Sequence, residues 1–234
     1  MSQPLISARA KRARFARTFL TAVLFSCACS WPAALIAAPI FQFSGFSSDG
    51  HPVSGSADFT LNAGADTVTV KLTNTTTTTL DAGELFTGLD FSLGGLTPTM
   101  TSDTGIQRTV AANGTFSDTG AAQDLSWSLV SLGGGSYQLN FNPDAKDAII
   151  GPPAMGSYSL ADDSIKGNAG HTPFAAEMAV FQLNVPGLEA DTPVEVNTWR
   201  FGTRLDPADP GVPEPLSSIL LLIGIATMAC PHRR

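Results

Sequence analysis

The chain has 234 residues, thirteen lysines and arginines against twenty acids, and three cysteines, for a formal charge of −7. That figure mixes segments of opposite sign. Between residues 38 and 211 nineteen acids face six bases (Lys71, Arg108, Lys146, Lys166, Arg200, Arg204), a net charge near −13 that disfavours nucleic acid and anionic lipid as partners. The cysteines are Cys27, Cys29 and Cys230, all near the chain ends, so the central body has no disulfide and must be held by its core. About 170 residues suffice for that.

Arg9, Lys11, Arg12, Arg14 and Arg17 form a positive segment without an acid nearby. From Phe19 the chain turns apolar through Leu20, Val23, Leu24 and Phe25 to Leu35 and Ile36, and the small Ala37 and Ala38 come next. A basic, apolar, small order is the pattern of a secretory signal peptide, expected over residues 1–37. Cleavage is expected after Ala37 rather than Ala38, because the second cut would leave Pro39 first. The alternatives are a retained N-terminal anchor and a lipoprotein cut before Cys27, against which the bulky Phe25 argues.

From residue 38 to 205 short segments with period-2 alternation recur between Gly, Asn, Asp and Pro, which predicts strands. Phe41 and Phe43 alternate with Gln42 and Ser44. Ala57, Phe59 and Leu61 face one way, and Val68, Val70 and Leu72 come after a turn at Ala63-Gly64-Ala65-Asp66, predicting a hairpin with Gly64 free to take positive φ. Leu89, Phe91 and Leu93 run to Gly94-Gly95. Leu125, Trp127 and Leu129 pair with Tyr137, Leu139 and Phe141 across Gly133-Gly134-Gly135. Ala179, Phe181 and Leu183 precede a Pro-Gly turn, and Val194 and Val196 come after it. Trp199 and Phe201 fall on the opposite parity, predicting a bulge near Asn197. An internal echo, Phe59-Thr60-Leu61-Asn62 and Phe181-Gln182-Leu183-Asn184, suggests two strand–turn–strand units. Residues 97–122, rich in Thr, Ser, Gly and Asp, are expected as surface loops or an edge strand, and residues 173–180 as one or two helical turns. The fold class is all-β, an antiparallel β-sandwich with a β-barrel as the rival.

Candidate chemistry is sparse. His51 and His171 could ligate zinc, but the ligand spacing around them is absent and surface positions are expected, with no metal or other cofactor. Asp162-Asp163 offers too few oxygens for calcium and is expected as a solvated turn. Trp127, Tyr137 and Trp199 could stack on sugar, yet they alternate with aliphatics and are expected in the core. Asn74-Thr75-Thr76 and Asn113-Gly114-Thr115 are formal glycosylation sequons, although threonine suits exposed β structure for its own sake. No nucleophile, phosphate-loop or metalloprotease motif is present, so no catalytic residue is assigned.

Residues 206–211 are Pro-rich and predicted as a linker that holds residues 212–234 clear of the fold. Val212-Pro213-Glu214-Pro215 then leads into an apolar run carrying Leu216, Ile219, Leu220, Leu221, Leu222, Ile223 and Ile225, and the chain closes on Arg233 and Arg234. As a helix this run spans roughly 22 Å, short of the ~30 Å hydrocarbon core, so it would cross by local thinning or by snorkelling of the flanking arginines. Basic residues at both chain ends are expected to stay in the cytoplasm, leaving the body outside.

The tail, residues 212–234, resembles the PEP-CTERM sorting signal of exosortase substrates of Gram-negative bacteria that make exopolysaccharide. Pro213, Glu214 and Pro215 match the recognition motif, the apolar run the transmembrane segment, and Arg233 and Arg234 the stop-transfer cluster, which Pro231-His232 makes thinner than usual. The resemblance implies that a membrane-embedded exosortase recognises the motif and removes the tail. The implied localisation is an inner-membrane intermediate, then the cell surface or medium. Two function classes stay open for the body: a non-enzymatic surface or matrix protein associated with exopolysaccharide, and an exported carbohydrate-active enzyme on a β-sandwich. Fold alone does not choose between them.

Overall fold

A computed structural model describes residues 38–141, 146–203 and 207–210. The segment through Ala37, expected as a signal peptide, Gly211 and the whole tail from Val212 to Arg234 lie outside the described residues. The fold is all-β: β1 (Ile40–Phe46), β2 (Pro52–Asn62), β3 (Thr67–Asn74), β4 (Phe86–Leu93), β5 (Thr99–Val110), β6 (Phe116–Asp124), β7 (Trp127–Gly133), β8 (Ser136–Phe141), β9 (Ile149–Ile150), β10 (Phe174–Ala176), β11 (Met178–Asn184), β12 (Val194–Phe201) and β13 (Asp209–Pro210).

One continuous hydrogen-bonded path runs β13-β1-β2-β3-β11-β5-β10-β9-β4-β8-β7, with β6 added on β5 and β12 on β4. The path doubles back at the short strands β10 and β9, which pair in parallel and make the sheet mixed rather than purely antiparallel. Its two halves therefore lie face to face as a sandwich. Aromatic contacts across the gap establish this: Phe59 on β2 meets Phe91 on β4 at 5.5 Å between ring centroids, Phe43 on β1 meets Trp199 on β12 at 5.6 Å, and Trp127 on β7 meets Phe181 on β11 at 5.1 Å. Among the described residues β13 and β7, the ends of the path, do not pair with each other, so the sheet does not close as a barrel.

The alternation that predicts the strands is the alternation that fills the core. Ala57, Phe59, Val68, Val70, Leu72, Leu89, Phe91, Leu93, Leu139, Phe181 and Leu183 are all buried. Each large side chain so buried stabilises the fold by about 1.5–3 kcal/mol, which a body without disulfides relies on. The β7–β8 hairpin has the predicted register, with Trp127 opposite Phe141 and Leu129 opposite Leu139. The β12 register slips between Val196 and Thr198, placing the predicted bulge at Asn197.

Several expectations change. At the β2–β3 turn Asp66, not Gly64, takes the left-handed conformation (φ 51°), closing a single 3-10 turn at Ala63–Ala65. The second half of the internal echo is no hairpin: β11 pairs with β3 and β5, whereas β12 crosses to β4 in the other layer. Residues 97–122 contain β5, an interior twelve-residue strand, as well as the exposed edge strand β6. Residues 173–180 form β10 and β11 in place of helical turns, separated by Glu177 at φ 64°. The segment predicted as a linker also joins the sheet in part, since Pro207 bridges to Arg200 and Asp209–Pro210 pair with Phe46 and Gly45.

Candidate functional site

Two tight turns meet at one end of the sandwich. The first joins β1 to β2: the Ser47 amide donates to the His51 carbonyl at 2.8 Å, and the Gly50 amide donates to the Ser47 carbonyl at 2.9 Å. Gly50 sits at φ 84°, a conformation that glycine adopts without strain. The His51 amide is anchored on Ser47 Oγ at 3.2 Å, so His51 leaves the turn in a fixed position. The second is the 3-10 turn Ala82–Glu84, which Asp81 caps by accepting from the Gly83 amide. Ser164 Oγ accepts from the Ala82 amide at 2.8 Å, and Asn74 Nδ2 donates to the Glu84 carbonyl at 2.9 Å, fixing this turn from behind.

The turns bring three side chains together. His51 Nδ1 stands 2.9 Å from Asp81 Oδ2 and 4.0 Å from Glu84 Oε1. Exposure falls steeply across the group: the side chains of His51, Asp81 and Glu84 are 39%, 20% and 4% accessible. Burial raises the Glu84 carboxyl above the usual carboxylate range; the Leu80 amide, donating to Oε2, opposes that rise, and neighbouring Asp81 adds to it. Asp49 lies on the same side, its Oδ2 4.0 Å from where a Cβ on Gly202 would stand. Among the described residues neither Asp81 nor Glu84 pairs with a lysine or arginine. An imidazole nitrogen and two carboxylates at these separations can share a proton or take a divalent cation.

His51 is the one site residue that the sequence marks, and it marks it as a surface histidine. Asp81 and Glu84 escape a sequence reading because they lie some thirty residues further along the chain. His171 does not join the group. Its Nδ1 faces the Ser164 carbonyl at 2.7 Å, and the ring lines a cavity of about 200 Å³ with Lys146, Ala148, Gly170 and Thr203. Asp162 and Asp163 form the expected turn, in which Asp162 Oδ1 accepts from the Ser164 amide at 2.8 Å and Asp163 is exposed. Trp127, Tyr137 and Trp199 are 5%, 7% and 9% accessible, which places them in the core and removes them as a sugar platform.

Ala38 is described and partly exposed; it borders a shallow groove with Pro39, Leu61 and Val194. Its neighbour Ala37, the expected sorting residues Pro213, Glu214 and Pro215, the apolar residues from Leu216 to Ile225, and Arg233 and Arg234 lie outside the described residues. Among the described residues no helix is long and apolar enough to cross a membrane. No protein-family model matches the chain, and no curated protein matches it either.

Proposed function

We propose that this chain is an exported cell-surface or extracellular-matrix protein, sorted by an exosortase-type protease and associated through a non-enzymatic β body with exopolysaccharide. The observation that carries the reading is the order of the tail: Pro213-Glu214-Pro215, an apolar run free of charge, then Arg233 and Arg234. A basic, apolar, small N-terminal segment supports it with the same topology. The body suits such a route, because it is a strongly acidic sandwich whose stability needs no cysteine chemistry after export. Pro210, the last described residue, is paired on the sheet edge, three positions before Pro213 in the sequence.

A charged residue between two prolines makes a poor helix and an extended handle for a protease. Glu214→Ala, with the apolar run intact, is expected to give an uncleaved, membrane-retained chain. The unaltered protein is expected to lose residues from about Pro213 onward, as read by intact mass of the surface or secreted form. A wild-type surface form that still contains Leu216 to Arg234 makes the tail a permanent anchor and ends the sorting hypothesis. Incubation with the producer's own exopolysaccharide separates the roles of the body: retention without shortening supports association, and released oligosaccharide supports an enzyme.

A further inference from the structure

We propose that His51, Asp81 and Glu84 form a binding site for one divalent transition cation of the zinc type, at the end of the sandwich where the β1–β2 turn meets the Ala82–Glu84 turn. This inference is independent of how the chain is sorted.

The donor spacing approaches that of a coordination shell. Bonds of ~2.1 Å place neighbouring ligand atoms about 3.0–3.4 Å apart and opposite ones about 4.2 Å apart. The observed separations from His51 Nδ1 are 2.9 Å and 4.0 Å, and one ligand atom from each of the three residues lies within 4.8 Å of the others.

Charge points the same way. Among the described residues Glu84 accepts from the Leu80 amide through Oε2 but has no lysine or arginine beside it. Asp90 pairs with Arg200, and Asp147 accepts from Gln107 Nε2 at 2.9 Å and from the Ser126 amide at 3.2 Å. Glu84, the most buried acid of its cluster, turns Oε1 toward His51, while Asp81 and Asp49 bring further negative charge. Two or three carboxylates converging on a single imidazole leave an excess that a doubly charged ion neutralises.

Gly83 lets the side chains of the cluster close in on the Ala82–Glu84 turn. A Cβ built there would stand 2.8 Å from Asp81 Oδ1, 3.0 Å from His51 Cδ2 and 3.5 Å from Asp49 Oδ2. Any residue other than glycine would therefore push Asp81 and His51 out of these positions. The donor chemistry selects the ion class. An imidazole nitrogen suits zinc and its neighbours and is a poor ligand for calcium or magnesium, which prefer all-oxygen shells. With His51 39% accessible, the remaining coordination positions face water, so the site is open rather than closed.

The test uses the full-length chain in detergent, stripped with EDTA, carrying Cys27→Ser, Cys29→Ser and Cys230→Ser so that no thiol competes. Titration with ZnCl₂ in a calorimeter is expected to give one saturable site per chain at micromolar affinity or tighter, with CaCl₂ at least tenfold weaker. His51→Ala and Asp81→Asn should each weaken zinc binding at least tenfold, and His171→Ala should leave it unchanged. Far-ultraviolet circular dichroism checks that each variant keeps its β signal; His51→Gln and Asp81→Ser stand in for any that does not. A second readout is stability, since zinc should raise the thermal midpoint of the parent and of His171→Ala but not of His51→Ala. Absence of saturable zinc binding, calcium binding as tight as zinc, or wild-type affinity in a folded variant of His51 or Asp81 overturns the site.

Discussion

Asp103 and Asp147 hold two consecutive backbone amides at the start of β7. Asp147 Oδ2 accepts from the Ser126 amide at 3.2 Å, and Asp103 Oδ2 accepts from the Trp127 amide at 2.7 Å. The Asp147 carbonyl then accepts from Trp127 Nε1 at 2.8 Å, so the same residue pins both the backbone and the indole. This arrangement seats Trp127 against Phe181 across the sandwich.

Burial pushes both carboxyls above their ordinary value of 3.8; the hydrogen bonds they accept oppose the shift, and the charge of Asp103 adds to that on Asp147. A raised pKa means that the folded state keeps a proton that the unfolded chain has already released. The resulting stabilisation is complete below the unfolded value and disappears as pH rises through the folded one. The gap in urea midpoint between wild type and Asp147→Asn should therefore move in favour of wild type as pH falls from 7 toward 4. A gap that instead moves in favour of wild type with rising pH would show that Asp147 is held in its charged form.

Arg108 is a second organising group, and here geometry predicts more than charge does. Its side chain is 6% accessible, and the guanidinium bonds Asp118 through Nε and Nη2, both at 2.8 Å. Nη1 reaches Tyr158 Oη at 3.0 Å and Glu177 Oε1 at 3.2 Å, and the group lies 4.2 Å from the centre of the Phe116 ring. Arg108→Met keeps the bulk and strands the partners, which should reduce unfolding free energy by about 2–4 kcal/mol, Asp118 being partly hydrated already. Arg108→Lys should recover less than half, because one ammonium cannot bridge both Asp118 oxygens and still reach Tyr158. Urea denaturation measures both, and a lysine variant equal to wild type would show that the forked geometry is dispensable.

The strands with clean alternation, Ala57 to Leu61, Leu89 to Leu93 and Trp127 to Leu129, were legible in the sequence because one face of each meets the core. The Asn197 bulge was legible for the same reason, since only a slip keeps Val196 and Trp199 in their layers. Strand β5 was not. Its twelve residues include Thr99, Thr101, Ser102, Asp103 and Thr104, and its buried polar member Arg108 is tolerated only through partners on β6 and in later loops. β9 and β10 were too short to show a period, although they join the two layers. The candidate site was illegible for a topological reason. His51 meets Asp81 and Glu84 because two turns far apart in the chain close over the same end of the sandwich, and no local spacing records that.

Asn74 shows the same limit at a position where the sequence suggests a modification. In Asn74-Thr75-Thr76 the asparagine is 1% accessible. Its Nδ2 donates to the carbonyls of Glu84 and Ile149, both at 2.9 Å, while Oδ1 accepts from the Thr76 amide at 3.1 Å. Thr76 and Thr79 are buried alongside it, at 5% and 1%, so this threonine run is partly internal and not simply exposed β structure. Both amide hydrogens of Asn74 are committed, which leaves no place for a glycan in the folded protein; Asn113 is exposed. Asn74→Ala should cost about 2–4 kcal/mol, because two buried carbonyls and one amide lose their partner together. Asn74→Asp keeps the shape but turns an oxygen toward one of those carbonyls, and should cost at least as much at pH 7. Its carboxyl should titrate high in the folded state, since only the protonated form can donate, so the loss should shrink as pH falls toward 4. Urea midpoints at the two pH values, with intact mass of the exported protein showing no glycan on Asn74, check the whole argument. An Asn74→Asp variant as stable as wild type at pH 7 would mean that the Nδ2 bonds to Glu84 and Ile149 do not hold the turn.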